Sequence, residues 1–517
     1  MVLACHALFF VFYFHLGVSG SVAQTLADTA PTLTRVSALP LLGDGSEMTS
    51  SAERRLGDRI VRELYRDPDY LDDPVLGDYV QDIWQPLLAA ARLRGDLTPE
   101  LDERFAWQIL LGRDRTVNAF ALPGGYLGVN LGLLAVVSSR DELASVLGHE
   151  LSHVTQRHIS RLVSKNNQQT PWLIGAMILG AMAASKNADA GNALMVGGQA
   201  VSAQSQLNFS RDMEREADRQ GFGVMTQAGF EPLGFVTMFD KLQKDARLND
   251  NGAYPYLRSH PLTTERIADM HSRLPLGAPH GTTPVPTALH AMLVARARVL
   301  SSPGKEALLG WHSQVNDPSL PWSTQVGALY GSALAASKLR DAGLAQQQQQ
   351  RLLALVAGDP QSLQRVQWLG IEIALAARDP IWLQHLNSST TPDGSGRRPE
   401  LLLQAQVALL LGNFDALAHA AQALQVWLAK QPWDALAWHW LASVYAAQNQ
   451  GLRALRAQAE ERVAQLDYAG ALDRLKAAQE RVGADAQNSS AKHIDASIID
   501  TRRRQIESLL REQALDR

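Results

Sequence analysis

The feature that most constrains this chain is the run His149-Glu150-Leu151-Ser152-His153, which lies in a segment with helical periodicity. Two histidines four residues apart stack on one helical face, so both imidazoles can reach a single ion. Glu150 follows the first histidine, where its carboxylate can take a proton from a water at that ion. The five residues alone could also belong to a surface helix with two solvated histidines.

The neighbouring residues predict that this helix is buried. Ser139, with Glu142 three residues later, is typical of a helix N-terminus because the two side chains can cap backbone N–H groups. Apolar residues then recur at helical spacing: Leu143, Val146, Leu147, Leu151 and Val154. A buried helix that carries two histidines and a glutamate needs partners for those groups, and a metal ion provides them.

Composition narrows the function classes. A length of 517 residues allows two or three domains, and a net charge of -4 gives no electrostatic case for nucleic-acid binding. Cys5 is the only cysteine. Once it is lost with a signal peptide, no disulfide or thiolate ligand remains, so any metal must be held by histidine and carboxylate.

The N-terminus resembles a secretory signal peptide over residues 1–23. An apolar block from Ala7 to Val18 is followed by small residues, although no Lys or Arg precedes the block. The alternative is an uncleaved anchor, but the block is short for a bilayer span. An exported chain without disulfides fits the bacterial periplasm.

The predicted fold class is α+β and mostly helical, with a small sheet. After a flexible segment at 24–50, we expect a catalytic domain at 51–276, a Pro/Gly-rich linker at 277–287 and an all-helical domain at 288–517. The catalytic domain should begin with two helices and then form strands, which we place at Ser51 to Tyr65, Leu76 to Arg94, Arg104 to Leu111, Val117 to Leu122 and Tyr126 to Val129.

The apolar segment Pro171 to Ser185 has several interpretations. It is too short for a transmembrane helix and could be a core helix. It could instead be a methionine-bearing lid over the cleft, or a patch that contacts lipid or an unfolded client. The Gly/Ala/Asn-rich stretch Lys186 to Gly198 then reads as a mobile flap.

The C-terminal half contains a degenerate repeat. Trp438, Leu441, Ala442, Tyr445 and Ala454 follow the spacing of the tetratricopeptide pattern. This predicts a solenoid of helical hairpins, whose concave face usually binds another protein. A plain helical bundle is the alternative.

The acidic stretch 210–218 is the best source of a third metal ligand. Glu214 and Asp218 are one turn apart and share a helical face. One carboxylate could then bind the metal while the other orients a ligand histidine, or Asp218 could donate a proton. Glu216 should point elsewhere into solvent, but the residues alone do not decide between Glu214 and Glu216.

Four motifs in this order resemble the BepA-type periplasmic zinc metallopeptidases, relatives of the HtpX peptidases and of the eukaryotic CAAX-processing proteases. They are Gly148 to His153, the Ser-Arg-x-x-Glu-x-x-Ala-Asp run at 210–218, Val117 to Gly125, and Ser259-His260-Pro261. The resemblance covers roughly residues 50–275, and the repeat region is similar in kind.

The resemblance implies a gluzincin fold with one Zn²⁺ held by His149, His153 and Glu214. It also implies Glu150 as the general base and Asp218 as a second acidic catalytic residue. His260 is then either a loop histidine or a fourth zinc ligand that must leave before catalysis.

A peptide substrate should lie extended along the strand Asn118-Ala119-Phe120-Ala121, with loose sequence selectivity. The resemblance further implies a protease of the periplasm of a Gram-negative bacterium, acting on unfolded or misassembled outer-membrane proteins. The repeat domain would engage these clients or the outer-membrane assembly machinery. The competing hypotheses are a chaperone or assembly scaffold whose metal only stabilises the fold, and a non-peptidase zinc hydrolase.

Overall fold

The computed structural model describes residues 48–165, 210–248, 254–275, 286–315, 319–389, 396–484 and 490–515. These residues are mostly helical and include a small mixed sheet, which confirms the predicted α+β class. None of their helices is long and apolar enough to cross a membrane. The expected signal peptide, the segment Pro171 to Ser185 with the flap after it, and most of the linker lie outside the described residues.

The part of the chain that precedes the linker supplies the sheet and the helices around it. Its helices are α1 (Ser50–Leu64), α2 (Pro74–Arg94), α3 (Pro99–Arg104), α4 (Leu131–Val136), α5 (Arg140–Thr155), α6 (His158–Lys165), α7 (Arg211–Gln227), α8 (Leu233–Leu248), α9 (Tyr256–Ser259) and α10 (Thr264–Ser272). Its strands are β1 (Tyr70–Leu71), β2 (Gln108–Gly112), β3 (Ala119–Leu122) and β4 (Tyr126–Asn130).

The strand order is β1-β2-β4-β3, which leaves β3 at one edge of the sheet. The β2 and β4 strands are parallel, and the β3–β4 pair is antiparallel. Gly124 and Gly125 connect β3 to β4 with φ values of 75° and 84°, which favour glycine. A side chain on Gly125 would also collide with Phe105, since its Cβ would lie 2.7 Å from the Phe105 Cβ.

One predicted strand boundary was wrong. We expected a strand to begin at Arg104, but Pro99–Arg104 is helix α3, and β2 begins at Gln108. The Thr98 hydroxyl accepts a hydrogen bond from the Leu101 N–H, and Pro99 occupies the first helical position. The helix that they start reaches Arg104, and Trp107 then adopts a left-handed conformation with φ of 53°, so the strand begins only at Gln108.

Helix α5 begins as the sequence predicted, with one difference. The Ser139 hydroxyl accepts from the Glu142 N–H at 3.1 Å. The Glu142 carboxylate, however, accepts from the N–H of Ser138 and forms an ion pair with Lys241. The start of α5 is therefore fixed to α8 as well as capped.

Two glycines allow α5 and α7 to approach closely. A Cβ placed on Gly221 of α7 would lie 2.9 Å from the carbonyl carbon of Gly148 in α5. Real Cβ atoms do not tolerate such contacts, so larger residues would separate the helices. The two helices carry the predicted metal ligands, and their close packing brings those side chains within reach of each other.

The residues after the linker are helical, as predicted. Their helices are α11 (Ala288–Ser301), α12 (Lys305–Gln314), α13 (Trp322–Lys338), α14 (Ala342–Leu355), α15 (Pro360–Ala377), α16 (Pro380–Ser389), α17 (Arg398–Leu411), α18 (Phe414–Lys430), α19 (Ala435–Ala447), α20 (Gly451–Ala464), α21 (Tyr468–Ala484) and α22 (Ser490–Leu515). From α12 onward, helices that follow one another in the chain pack side by side, and α11 packs against α13, α4 and α2.

The hydrophobic core is continuous across the linker. One cluster of buried side chains extends from Val75 in α2 through Val146 in α5 to Met292 in α11 and Ile373 in α15. The first C-terminal helices therefore share their apolar core with the helices that carry the metal-ligand candidates.

Candidate metal centre

Three elements meet at the predicted site. Helix α5 carries His149 and His153, α7 carries Glu214, and the residue that follows α9 is His260. All four side chains are buried, and each offers one donor atom within 4.8 Å of the others. The structure therefore brings together the three predicted ligands and the predicted fourth.

The distances between the three predicted ligands fit a tetrahedral ion. The two imidazole Nε2 atoms of His149 and His153 lie 2.9 Å apart. The Glu214 carboxylate places Oε2 3.5 Å from His149 Nε2 and Oε1 3.4 Å from His153 Nε2. Ligand bonds of about 2.0–2.1 Å in tetrahedral zinc sites place neighbouring donor atoms about 3.3 Å apart.

His260 completes the donor set. Its Nδ1 lies 3.3 Å from His149 Nε2 and 3.0 Å from Glu214 Oε1, and its Nε2 lies 3.5 Å from Glu150 Oε1. The ring stacks on Tyr256, with centroids 4.6 Å apart and planes 29° apart. His260 thus lies between the predicted ligands and the predicted base.

The Glu150 carboxylate is enclosed without a hydrogen-bond donor. Its side chain is fully buried, and neither carboxylate oxygen makes a hydrogen bond within the part of the chain that the structure describes. Burial raises the pKa of this carboxyl group, which the positive charges of neighbouring histidines partly offset. A buried carboxylate without donors is costly for folding alone and typical of a group that handles protons.

An acidic residue and an arginine orient His149. Asp218 Oδ1 lies 3.0 Å from His149 Nδ1, the ring nitrogen that faces away from the donor set. Arg266 donates to both Asp218 oxygens at 2.6 and 2.7 Å, and its Nη1 lies 2.8 Å from Glu214 Oε2. Burial alone would raise the pKa of Asp218, but hydrogen bonds from Arg266 and His149 lower it. A carboxylate held in its ionised form suits the orienting role better than the role of proton donor.

Sequence reasoning missed Arg266. It lies 48 residues after Asp218 in the chain, and no spacing links the two. Its guanidinium is buried on the same face of α10 as Met270, where helical periodicity would predict an apolar side chain.

It also missed His158, and its expectation for Glu216 was wrong. His158 Nδ1 lies 2.8 Å from His153 Nδ1, and its Nε2 lies 3.1 Å from Glu216 Oε2. Glu216 is only 30% exposed and also accepts from Arg161 at 2.9 Å. The residue was expected in solvent because α7 turns it away from Glu214, but α6 supplies partners on that side.

The pKa values of the clustered side chains are shifted in different directions. Burial alone would lower the pKa of His149, but contacts with Asp218 and Glu214 raise it to about 9. Burial lowers the pKa of His153 well below its ordinary value. Burial alone would raise the pKa of Glu214, but the His260 charge and the histidine hydrogen bonds lower it. The cluster thus holds an ionised carboxylate, a neutral His153 and a protonated His149 near neutral pH.

The predicted substrate strand lies beside the site, and α5 packs against β3. The Asn130 N–H donates to the Asn118 carbonyl at 3.0 Å, so these residues form a hydrogen-bonded pair. Hydrogen-bonded pairs alternate along an antiparallel ladder. The backbone N–H and C=O groups of Ala119 and Ala121 therefore point away from β4, whereas those of Phe120 point toward it. The Ala121 N–H faces the Glu150 carboxylate without reaching hydrogen-bond geometry, and it is one of the groups that lower the pKa of that carboxyl group.

Comparison with known proteins agrees with this geometry. Residues 79–274 match peptidase family M48, and this segment includes all of the candidate site residues. The chain is 29% identical to the beta-barrel assembly-enhancing protease of Escherichia coli over 85% of each chain. It is 32% identical to a Vibrio cholerae protein described as a candidate for the same protease, over 58% of this chain and 60% of that one.

A second group of relatives is similar over a shorter part of the chain. The mitochondrial metalloendopeptidase OMA1 of Saccharomyces cerevisiae is 28% identical over 38% of this chain and 55% of its own length. Residues 79–274 are therefore similar to the metallopeptidases of family M48, within a chain that resembles the beta-barrel assembly-enhancing proteases.

Proposed function

We propose that this chain is a zinc-dependent endopeptidase of the Gram-negative periplasm that degrades misfolded or stalled outer-membrane proteins. The observation that carries the proposal is the buried set of His149, His153 and Glu214 donors with the unpartnered Glu150 carboxylate beside it. Nitrogen and oxygen donors at these spacings suit zinc, and the only cysteine, Cys5, lies outside the described residues.

A zinc ion held by these ligands would polarise a peptide carbonyl and acidify water. Glu150 would accept the proton of the attacking water and pass it to the leaving amine. Its raised pKa suits this exchange, because a base with a higher pKa holds the proton more readily. Asp218 and Arg266 would hold His149 with its Nε2 lone pair directed at the ion.

The substrate would pair with the free edge of β3. Ala119 and Ala121 direct one N–H and one C=O each away from the sheet, which matches an extended peptide of any sequence. Recognition through backbone groups supports clients that are defined by being unfolded rather than by a cleavage motif. The names of the relatives support beta-barrel proteins as those clients, and such barrels reside in the bacterial outer membrane.

We propose that the helices after residue 287 form a tetratricopeptide-like solenoid that engages clients or the assembly machinery. Helices α17, α19 and α21 begin at residues 398, 435 and 468, which are 37 and 33 residues apart, close to the 34-residue period. The motif positions Leu441, Ala442, Tyr445 and Ala454 are buried where α19 meets α20. These features support a repeat with one face available for a protein partner.

The direct test is cleavage of unfolded casein by purified full-length protein with Glu150→Gln. We expect unchanged zinc content and loss of cleavage by at least about 1,000-fold, because the base is removed and the ligands are kept. Glu142→Gln is the matched control, since Glu142 is equally buried in α5 but contacts Lys241 and not the ligands. Turnover retained by Glu150→Gln refutes the proposal and favours a non-catalytic scaffold.

The position of His260 supports a second, inactive state of the same enzyme. With His260 Nδ1 as a fourth donor the ligand set is closed, as in structural zinc sites, whereas catalytic sites keep one position open. We propose that His260 keeps the site inactive until it moves away, which would let the protein act mainly as a chaperone at rest. His260→Ala should raise basal cleavage of casein, and unchanged basal cleavage would contradict self-inhibition.

A further inference from the structure

We propose that His158 is the positioning residue of His153, and that Glu216 fixes the proton that makes His153 able to bind metal. The inference rests on the proposed metal site and extends it by a hydrogen-bonded chain. That chain runs from His153 Nδ1 to His158 Nδ1 at 2.8 Å, from His158 Nε2 to Glu216 Oε2 at 3.1 Å, and from there to Arg161 Nη1 at 2.9 Å.

The direction of the hydrogen bonds, from donor to acceptor along this series of side chains, follows from counting protons. Between the two Nδ1 atoms only one nitrogen can carry the proton. If His158 carried it, His153 would hold its own proton on Nε2, where the metal must bind. His158 would then also direct a lone pair at the Glu216 carboxylate, which is repulsive.

The opposite arrangement satisfies every group. His153 donates from Nδ1 and keeps the Nε2 lone pair for the ion. His158 accepts at Nδ1 and donates from Nε2 to Glu216, whose charge is stabilised by Arg161. The carboxylate therefore selects, through one intervening ring, the tautomer of His153 that can ligate.

The other ligand histidine is served by a shorter chain of the same kind. His149 Nδ1 faces Asp218, and Asp218 is held by Arg266. Each ligand histidine is thus connected, directly or through His158, to a carboxylate that is paired with an arginine. The His153 chain needs an additional imidazole because Glu216 lies on the far side of α7 from Glu214 and Asp218.

The backbone places His158 for this contact. Arg157 adopts a left-handed conformation, with φ of 53°, between the end of α5 and the start of α6. This conformation is unfavourable for a residue other than glycine, so the surrounding contacts must hold it. Arg157 is held by the buried carboxylate of Glu53 at 3.0 Å. The chain therefore changes direction at Arg157, and this turn places the fully buried His158 ring beside His153.

The experiment measures the zinc dissociation constant of the purified full-length protein by competition with a chromophoric chelator. His158→Leu removes the acceptor, and we expect zinc binding about 10- to 100-fold weaker. His158→Asn places a carboxamide oxygen near the position of Nδ1, and should restore most of the affinity. Glu216→Gln removes the charge at a partly exposed position, and should weaken binding by about 3- to 10-fold.

His290→Leu is the matched control. His290 is also buried and uses both ring nitrogens, one with the Tyr79 hydroxyl at 2.6 Å and one with the Val137 carbonyl at 2.9 Å. The two leucine variants should lose similar thermal stability, but His290→Leu should bind zinc as the wild type does.

Each result bears on this inference, on the proposed function, or on both. Wild-type affinity in both His158→Leu and Glu216→Gln overturns this inference and leaves the proposed function standing. Equal weakening in His158→Leu and His290→Leu also overturns it, because the effect is then a general loss of packing. A wild-type protein that binds no stoichiometric zinc overturns the proposed function together with this inference. If His158→Leu does not fold, Glu216→Gln against the wild type decides alone.

Discussion

Arg296→Met should strongly lower the stability of the fold, because it breaks a buried ionic contact between distant helices. The Arg296 guanidinium is buried and donates to both oxygens of Asp73 at 2.8 Å and to both oxygens of Glu372 at 2.9 and 3.0 Å. Asp73 begins α2, whereas Arg296 and Glu372 belong to α11 and α15. The arginine therefore joins the peptidase domain to the C-terminal helices.

The size of the expected loss of stability follows from the burial of Asp73. Methionine fills much of the same space but leaves the Asp73 charge buried without its guanidinium partner, which costs about 3–5 kcal/mol. Adding Asp73→Asn removes that charge and keeps the N-cap, because the asparagine oxygen can still accept from the Leu76 N–H. The double variant should thus recover about 1–3 kcal/mol relative to Arg296→Met alone.

The pH dependence has a defined sign. Burial alone would raise the pKa of Asp73, but the Arg296 charge outweighs it and lowers the pKa below 3.8. A lowered pKa means that the pair stabilises the fold above about pH 4, and that this contribution is lost as the pH falls further.

The assay is urea denaturation of the full-length protein at fixed zinc concentration, followed by circular dichroism and by tryptophan fluorescence. We expect one transition with both probes, because the core is continuous across the linker. Arg298→Met is the control, since Arg298 lies in the same helix and donates only to the Ala135 carbonyl, which should cost about 1 kcal/mol. A loss below 1 kcal/mol in Arg296→Met, or no recovery in the double variant, would refute the reasoning.

Three further predictions concern the site. Because His149 must lose a proton with a pKa of about 9 to bind metal, zinc affinity should rise about tenfold per pH unit toward pH 9 and then level off. Asp218→Asn should move that plateau to lower pH in the same chelator titration, and an unchanged plateau would contradict the assignment of Asp218. Protonated His149 should stabilise the metal-free protein below pH 6.5, and the effect should be lost as the pH rises through about 9, as thermal unfolding would show. Ala119→Pro removes an outward N–H at the sheet edge and leaves the Ala121 N–H beside Glu150 in place, so KM for casein should rise about five- to tenfold while zinc content stays constant; a wild-type KM would exclude β3 as the substrate strand.

Local patterns in the sequence predicted the parts of the site that one helix can carry. The spacing of His149 and His153 and the cap at Ser139 are properties of consecutive residues, so α5 and its two imidazoles could be placed without a structure. The choice of Glu214 over Glu216 needed the resemblance, because both residues lie in the same acidic helix.

What could not be predicted depends on contacts between distant segments. Arg266 meets Asp218 across 48 residues, His158 meets Glu216 across 58, and Arg296 meets Asp73 across 223. Periodicity shows which face of a helix is buried but not which side chain it meets there. The same limit explains why Glu216 was assigned to solvent.

The central claim is that two imidazoles and the Glu214 carboxylate bind one zinc ion. The most direct measurement is an anomalous difference map, at the zinc absorption edge, from crystals of the purified protein. The account predicts one peak per chain, about 2.0–2.2 Å from His149 Nε2, His153 Nε2 and one oxygen of Glu214. A chain that retains no zinc, or a peak with Glu214 outside bonding distance, would contradict it.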